Sequence, residues 1–205
     1  MRLSSPDHRP SEAALVRAGV LVVAAGVVFA LRPDPWTTPS ALGLEGAASL
    51  ACSLLAGAIV AGLFVVYTRF AAARFAFARQ LTADLRRRAS TMTPLAALGI
   101  AVSASLGEEL VFRSLLVPWC GVLIAAGLFG LVHLRSGIAF ALVAAAFGLA
   151  LGAVFVVSGH LAGPLVAHFV VDAVALLSAR STGVAEASST RTPLRGLLGA
   201  HAKAR

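Results

Sequence analysis

Residues 105–119 read SLGEELVFRSLLVPW. Two adjacent carboxylates, Glu108 and Glu109, and the Arg113 guanidinium interrupt a run that is otherwise apolar. TPLAALGIAVSA before it and CGVLIAAGLFGLV after it both read as helix soluble in hydrocarbon. A single such charge costs roughly 2.5–3.5 kcal/mol at the centre of a bilayer on insertion scales. Three together require partners, a function, or both.

The rest of the chain supports the bilayer reading. Of 205 residues, 59% are hydrophobic and 13% are charged, and the mean hydropathy is +0.89. An average soluble domain carries about 25% charged residues, so a water-soluble globular domain is excluded. The net charge of +8 resides mostly in the tails and between apolar runs. That is the distribution of loops on the cytoplasmic side, and it implies no nucleic-acid partner. Cys52 and Cys120 sit in or beside apolar runs without metal spacing, so neither a disulfide framework nor a zinc finger follows.

A hydrocarbon core of about 30 Å takes roughly 20 apolar residues per helix. On that ruler the chain predicts an all-α, polytopic transmembrane bundle of about six spans: Ala13–Leu31, Ala47–Tyr67, Pro94–Val117, Cys120–Leu134, Ile138–Val157 and Gly163–Ala179. The organisation expected is a cytoplasmic segment at 1–12, two N-terminal membrane helices within 13–67, a basic amphipathic linker at 68–92, a helical core at 93–179, and a disordered basic tail at 180–205. The linker carries Arg69, Arg74, Arg79, Arg86, Arg87 and Arg88, with Phe70, Phe75 and Phe77 interleaved among the first three. This suits a helix lying along headgroups and marks a cytoplasmic loop. Alternation then places both termini and Arg135 in the cytoplasm, and the SGH turn at 158–160 outside.

Few strongly polar residues remain at depth, and their spacing is informative. Glu109 and Arg113 stand four apart on one helix face, with the acid N-terminal as helix pairs prefer. Glu108 sits about 100° round the helix from Glu109 and is left without a local partner. His133 ends FGLVH, with Phe129 one turn earlier. His168 and Asp172, in HFVVD, again stand four apart, so the aspartate can orient the ring. Buried polar groups need partners, and the nearest suitable partners are one another. Such a set can polarise a water for hydrolysis, relay protons or bind a metal for transport, or serve packing alone.

The residues resemble a family. EELVFR is similar to its EExxxR motif, FGLVH to FxxxH, and HFVVD to HxxxN/D of the CAAX prenyl-endopeptidase and bacteriocin-processing (CPBP, Abi-like) intramembrane proteases. The resemblance covers roughly Pro94 to Leu177, in the family's order and on separate spans. It implies an intramembrane endopeptidase acting on a peptide or membrane-associated protein, in a bacterial plasma membrane. By the same resemblance Glu108 activates the attacking water and Glu109 and Arg113 support it. His133, His168 and Asp172 then hold the water and stabilise the oxyanion. The resemblance leaves open a metal-free glutamate mechanism and a divalent metal such as zinc, held through Glu108, His133 and His168; no cofactor is certain. Ser114 stands where the family usually has glycine, and the interval from Arg113 to His133 is short.

Two rivals belong to other classes. A non-catalytic binding or bacteriocin self-immunity protein of the same fold would tolerate loss of Glu108. A proton-coupled transporter would need a continuous polar path, and the first two spans offer almost none. Oligomeric state is not legible. One geometric conflict also stands: straight full-length spans put Glu108 and His168 toward the outer side and His133 at the inner end of its helix.

Overall fold

The computed structural model describes residues 23–189. The expected segment 1–12 and most of the first span lie outside the described residues, as does the chain beyond 189. The helices are α1 (residues 23–31), α2 (Gly46–Arg74), α3 (Ala76–Ala89), α4 (Pro94–Glu109), α5 (Val117–Val132), α6 (Ile138–Ser158) and α7 (Ala162–Ser189). A π-helical segment, Leu110–Leu116, joins α4 to α5 without interruption.

Local chemistry sets the boundaries. Thr93 caps α4, its hydroxyl accepting from the Ala96 amide at 3.1 Å, and Pro94 occupies the first helical position. There its missing N–H costs nothing. Phe75, extended at φ −113°, separates α2 from α3. Gly159 ends α6 in the left-handed conformation at φ 77°, which glycine adopts without a Cβ penalty.

Four helical runs among the described residues are long and apolar enough to cross a bilayer: Gly46–Arg74, Pro94–Val132, Ile138–Ser158 and Ala162–Ser181. Their outward faces are apolar. Leu55, Ile59 and Leu63 on α2, Leu123 and Ile124 on α5, and Ile138 and Leu142 on α6 are all exposed. Apolar surface this extensive is not left facing water, so the chain is an integral membrane protein with lipid as its outer solvent.

Two expectations are corrected. The boundary between the third and fourth spans, expected between Val117 and Cys120, falls at Gly121. The 39 residues Pro94–Val132 are broken at Gly121; straight, they would reach roughly 58 Å, about twice the hydrocarbon thickness. Pro118 is not the break, because it falls in the first turn of α5. The turn comes at Gly121, at φ 82° and ψ 165°, and α5 then runs back antiparallel to α6. Gly152 meets Val122, Gly148 meets Phe129, and Gly130 meets Ala141 and Ala145. The second correction concerns the tail expected from residue 180: α7 stays helical to Ser189. There the Arg180 Nε donates to the Met92 carbonyl at 2.8 Å, tying the end of α7 to the start of α4.

Small and hydroxylated residues let α2 and α7 approach closely, as membrane helices do. Ser53 Oγ donates to the His160 carbonyl at 2.6 Å and accepts from the Gly163 amide at 2.9 Å. Ser49 Oγ donates to the Ser158 carbonyl at 2.7 Å. A Cβ on Gly57 would lie 2.7 Å from the Gly163 Cα, whereas one on Gly62 would meet nothing within 4 Å. Gly57→Val is therefore expected to destabilise the protein by about 1–3 kcal/mol through overpacking, and Gly62→Val to be neutral. Thermal unfolding in detergent compares the two.

Candidate active site

The centre forms where α4, the π-helical segment, α5, α6 and α7 meet. Glu109 and Arg113 are fully buried, and His168 is nearly so. Glu109 Oε1 takes two partners: His168 Nδ1 at 2.7 Å and Arg113 Nη1 at 2.9 Å. The arginine contact is an ion pair lying off the hydrogen-bond axis, since Nη1 and Glu109 Oε2 both lack a hydrogen-bond partner. The other guanidinium nitrogen, Nη2, donates to the Gly148 carbonyl at 3.3 Å. Phe129 supplies the remaining contact, its ring centroid 4.5 Å from the Arg113 Cζ. A buried charge pair holds only with such additional partners.

Glu109 fixes the His168 ring. With Nδ1–H donated to that carboxylate, the neutral imidazole presents a lone pair at Nε2. Nε2 faces Glu108 Oε2 at 3.8 Å and Asp172 Oδ2 at 3.7 Å. Both distances exceed a direct hydrogen bond and suit a group shared among the three. The sequence expectation that Asp172 orients His168 through its i,i+4 spacing is thus replaced. A carboxylate 59 positions away in sequence does the orienting, and Asp172 faces the working nitrogen. Glu108 and Asp172 retain 31% and 33% side-chain exposure, so the cluster has one side open and one side sealed.

His133 reaches the centre from the end of α5. Its Nδ1 pairs with the Phe129 carbonyl at 2.7 Å, which makes Nδ1 the protonated nitrogen because a carbonyl only accepts. The ring folds back onto Phe129, with centroids 4.7 Å apart, and Phe129 meets His168 edge-on at 6.0 Å. The conflict of depths is resolved in this way: α5 turns at Gly121, and the His133 ring folds back along its own helix. His133 lies within electrostatic reach of Glu108 and Asp172 without pairing directly with either.

All six expected residues are thus gathered, in unequal roles: Glu109, Arg113 and His168 in direct contact, Glu108 and Asp172 at the open side, His133 behind Phe129. Among the described residues no three His, Cys, Asp or Glu side chains group to hold a metal ion. Glu108, His133 and His168 therefore do not form a ligand set as placed, although both imidazoles direct Nε2 away from their Nδ1 anchors. Sequence reasoning did not find Gly148, whose carbonyl receives Arg113, or Phe147, edge-on to His168 at 5.6 Å. The glycines of FGLALG were the available signal for the first. Nothing marked the second among eleven phenylalanines.

The architecture is that of a polytopic helical membrane protein with a buried carboxylate–guanidinium–imidazole centre. Residues 90–174 match the family model of the type II CAAX prenyl endopeptidase Rce1-like proteins. The resemblance to CPBP proteases holds over that segment, which contains all six site residues. Searches of curated proteins and of solved structures gave no match.

The two neighbouring glutamates should separate in stability measurements. Glu109→Ala strands a fully buried guanidinium and is expected to cost about 3–5 kcal/mol. Glu108→Gln, at the open side, should stay within about 0.5 kcal/mol. Detergent unfolding midpoints of the two variants check this.

Proposed function

We propose that the protein is an intramembrane endopeptidase that cleaves a peptide or membrane-associated protein with a water activated by Glu108. The observation supporting this most directly is the convergence of Glu108 Oε2 and Asp172 Oδ2 on His168 Nε2, each near 3.7–3.8 Å. A water between them can donate one proton to Glu108 and the other to Asp172 or to the His168 Nε2 lone pair, which leaves the lone pairs of its oxygen free. Glu108 takes one proton from it, and the oxygen attacks the carbonyl carbon of the scissile bond. The carbonyl electrons move to oxygen, and collapse of that oxyanion breaks the C–N bond. Glu108 returns its proton to the departing amine, so the carboxylate is regenerated.

Glu109 and Arg113 do not face the reacting atoms in this scheme. They hold the His168 ring and its tautomer. The sealed side of the cluster keeps competing water away from the tetrahedral intermediate. Asp172 orients the water opposite Glu108. His133 lines the approach to the centre, its Nε2 free to accept a hydrogen bond from a substrate amide. The resemblance gave the histidines oxyanion stabilisation, but a neutral Nε2 lone pair accepts rather than donates. Their roles here are therefore orientation of water and substrate.

The distribution of arginines supports a topology with α3, Arg135 and Arg180 on the cytoplasmic face. The 36–41 segment and the α6–α7 turn then lie outside. These two already sit together, with the Thr38 amide donating to the Gly159 carbonyl at 3.0 Å and the Leu161 amide to the Trp36 carbonyl at 2.8 Å. A bacterial plasma membrane with both termini cytoplasmic fits this arrangement.

The test is Glu108→Ala, expressed at wild-type level in membranes and presented with membrane-anchored peptides. Loss of a positioned general base typically costs about 10²–10⁴-fold, and a loss of that size in cleavage rate is expected. Cleavage or cellular phenotype persisting undiminished in the variant would replace the hydrolytic reading with a non-catalytic binding or immunity role.

A further inference from the structure

The segment after α1 reaches into the active-site helix from outside the residues that match the family model. Arg32 Nη1 donates to the Ser114 carbonyl, 82 positions away, and its Nη2 donates to the Thr37 carbonyl at 2.8 Å. Ser114 is fully buried, and its hydroxyl donates to the Pro35 carbonyl at 2.6 Å. The backbone and the side chain of one residue are therefore both held by the 32–37 segment.

The covalent structure leaves this carbonyl without its ordinary α-helical donor. In an α-helix the amide four residues on would take the Ser114 carbonyl. That residue is Pro118, which has no N–H. The chain here is π-helical, with the Val117 amide bonded to the Phe112 carbonyl five residues back. Single π-helical turns cost hydrogen-bond geometry and recur at functional sites. An extra residue per turn also changes which way the following side chains face. Ser114 immediately follows Arg113, whose guanidinium holds Glu109, and Glu109 holds His168.

The segment is itself stiffened for the task. Asp34 Oδ1 accepts from the Trp36 amide at 2.9 Å and from the Thr37 amide at 3.3 Å, while Oδ2 accepts from the Thr37 hydroxyl. The Thr37 hydroxyl, helped by those amides and by Arg32, holds the Asp34 carboxyl below its ordinary value against the opposing effect of burial. Pro35 is fully buried.

We propose that Arg32 is a positioning residue of the active site: its guanidinium fork fixes the π-helical turn at Ser114 and thereby the register of Arg113, Glu109 and His168. This rests on the reading of His168 as part of the catalytic centre, but it is measurable without a substrate. Full-length protein labelled with ¹⁵N-histidine, in detergent micelles, gives the ring-nitrogen signals of His168, assigned by their loss in His168→Gln. In Arg32→Ala these signals shift and broaden. Arg32→Lys gives an intermediate shift, because an ammonium reaches one of the two carbonyls but not both in a fork. Ser114→Ala gives a smaller shift, since the Arg32 bond to its carbonyl survives.

Where cleavage is measurable, Arg32→Ala lowers the rate about 10–100-fold, the scale of a misplacement near 1 Å, and Arg32→Lys restores part of it. His168 signals in Arg32→Ala that superimpose on those of the unaltered protein overturn the proposal, whatever happens to the melting temperature. Should that variant not fold, superposition in both Arg32→Lys and Ser114→Ala overturns it equally. The expected shifts in a protein that cleaves nothing leave Arg32 as a positioning residue and remove only the peptidase reading.

Discussion

The buried pair of Glu109 and Arg113 is the constraint around which this bundle is arranged. Two opposite charges at zero or near-zero exposure are tolerated in hydrocarbon only when they pair and gain further partners. α7 supplies an imidazole, α6 a backbone carbonyl, and α5 an aromatic face. Each of these demands brings a helix to the same depth. The consequence is that the His168 imidazole is held by the same contacts that neutralise the charges, so fold and candidate site share one set of interactions.

Close approach of backbones makes that arrangement attainable. Gly148 admits the Arg113 guanidinium and the Phe129 ring, which would lie 3.4 Å and 3.0 Å from an added Cβ. The Gly57–Gly163 contact does the same for α2 and α7, fixing the height at which His168 enters. Hydrocarbon solvent offers no hydrophobic drive for helix association, so van der Waals contact and interhelical hydrogen bonds determine the packing. The helix faces left over carry leucine, isoleucine and valine and need no further partner than lipid.

The centre is also asymmetric by construction. Its sealed side contains the charges whose work is to hold geometry, and its open side contains the two carboxylates that flank His168 Nε2. Adjacent glutamates in sequence thus take opposite tasks, because a rotation of about 100° per residue turns one inward and the other toward the opening. The π-helical turn after Glu109 lies at this division, and the 32–37 segment clasps it from the far side.

Periodicity and hydropathy alone determined that this is an all-α membrane bundle, because a bilayer permits few other ways to satisfy backbone groups. The i,i+4 spacing also determined the Glu109–Arg113 pair and the isolation of Glu108, since both depend only on helical geometry. Tertiary structure decided the rest. Which carboxylate orients His168 turned on the packing of α4 against α7, which no local spacing encodes. Where the third span folds back turned on a single glycine dihedral at Gly121, and Pro118 leaves a carbonyl without its helical donor but does not turn the chain. The tie from Arg32 to Ser114 joins positions 82 residues apart through a backbone carbonyl. A carbonyl is common to every residue, so only the folded chain could single this one out.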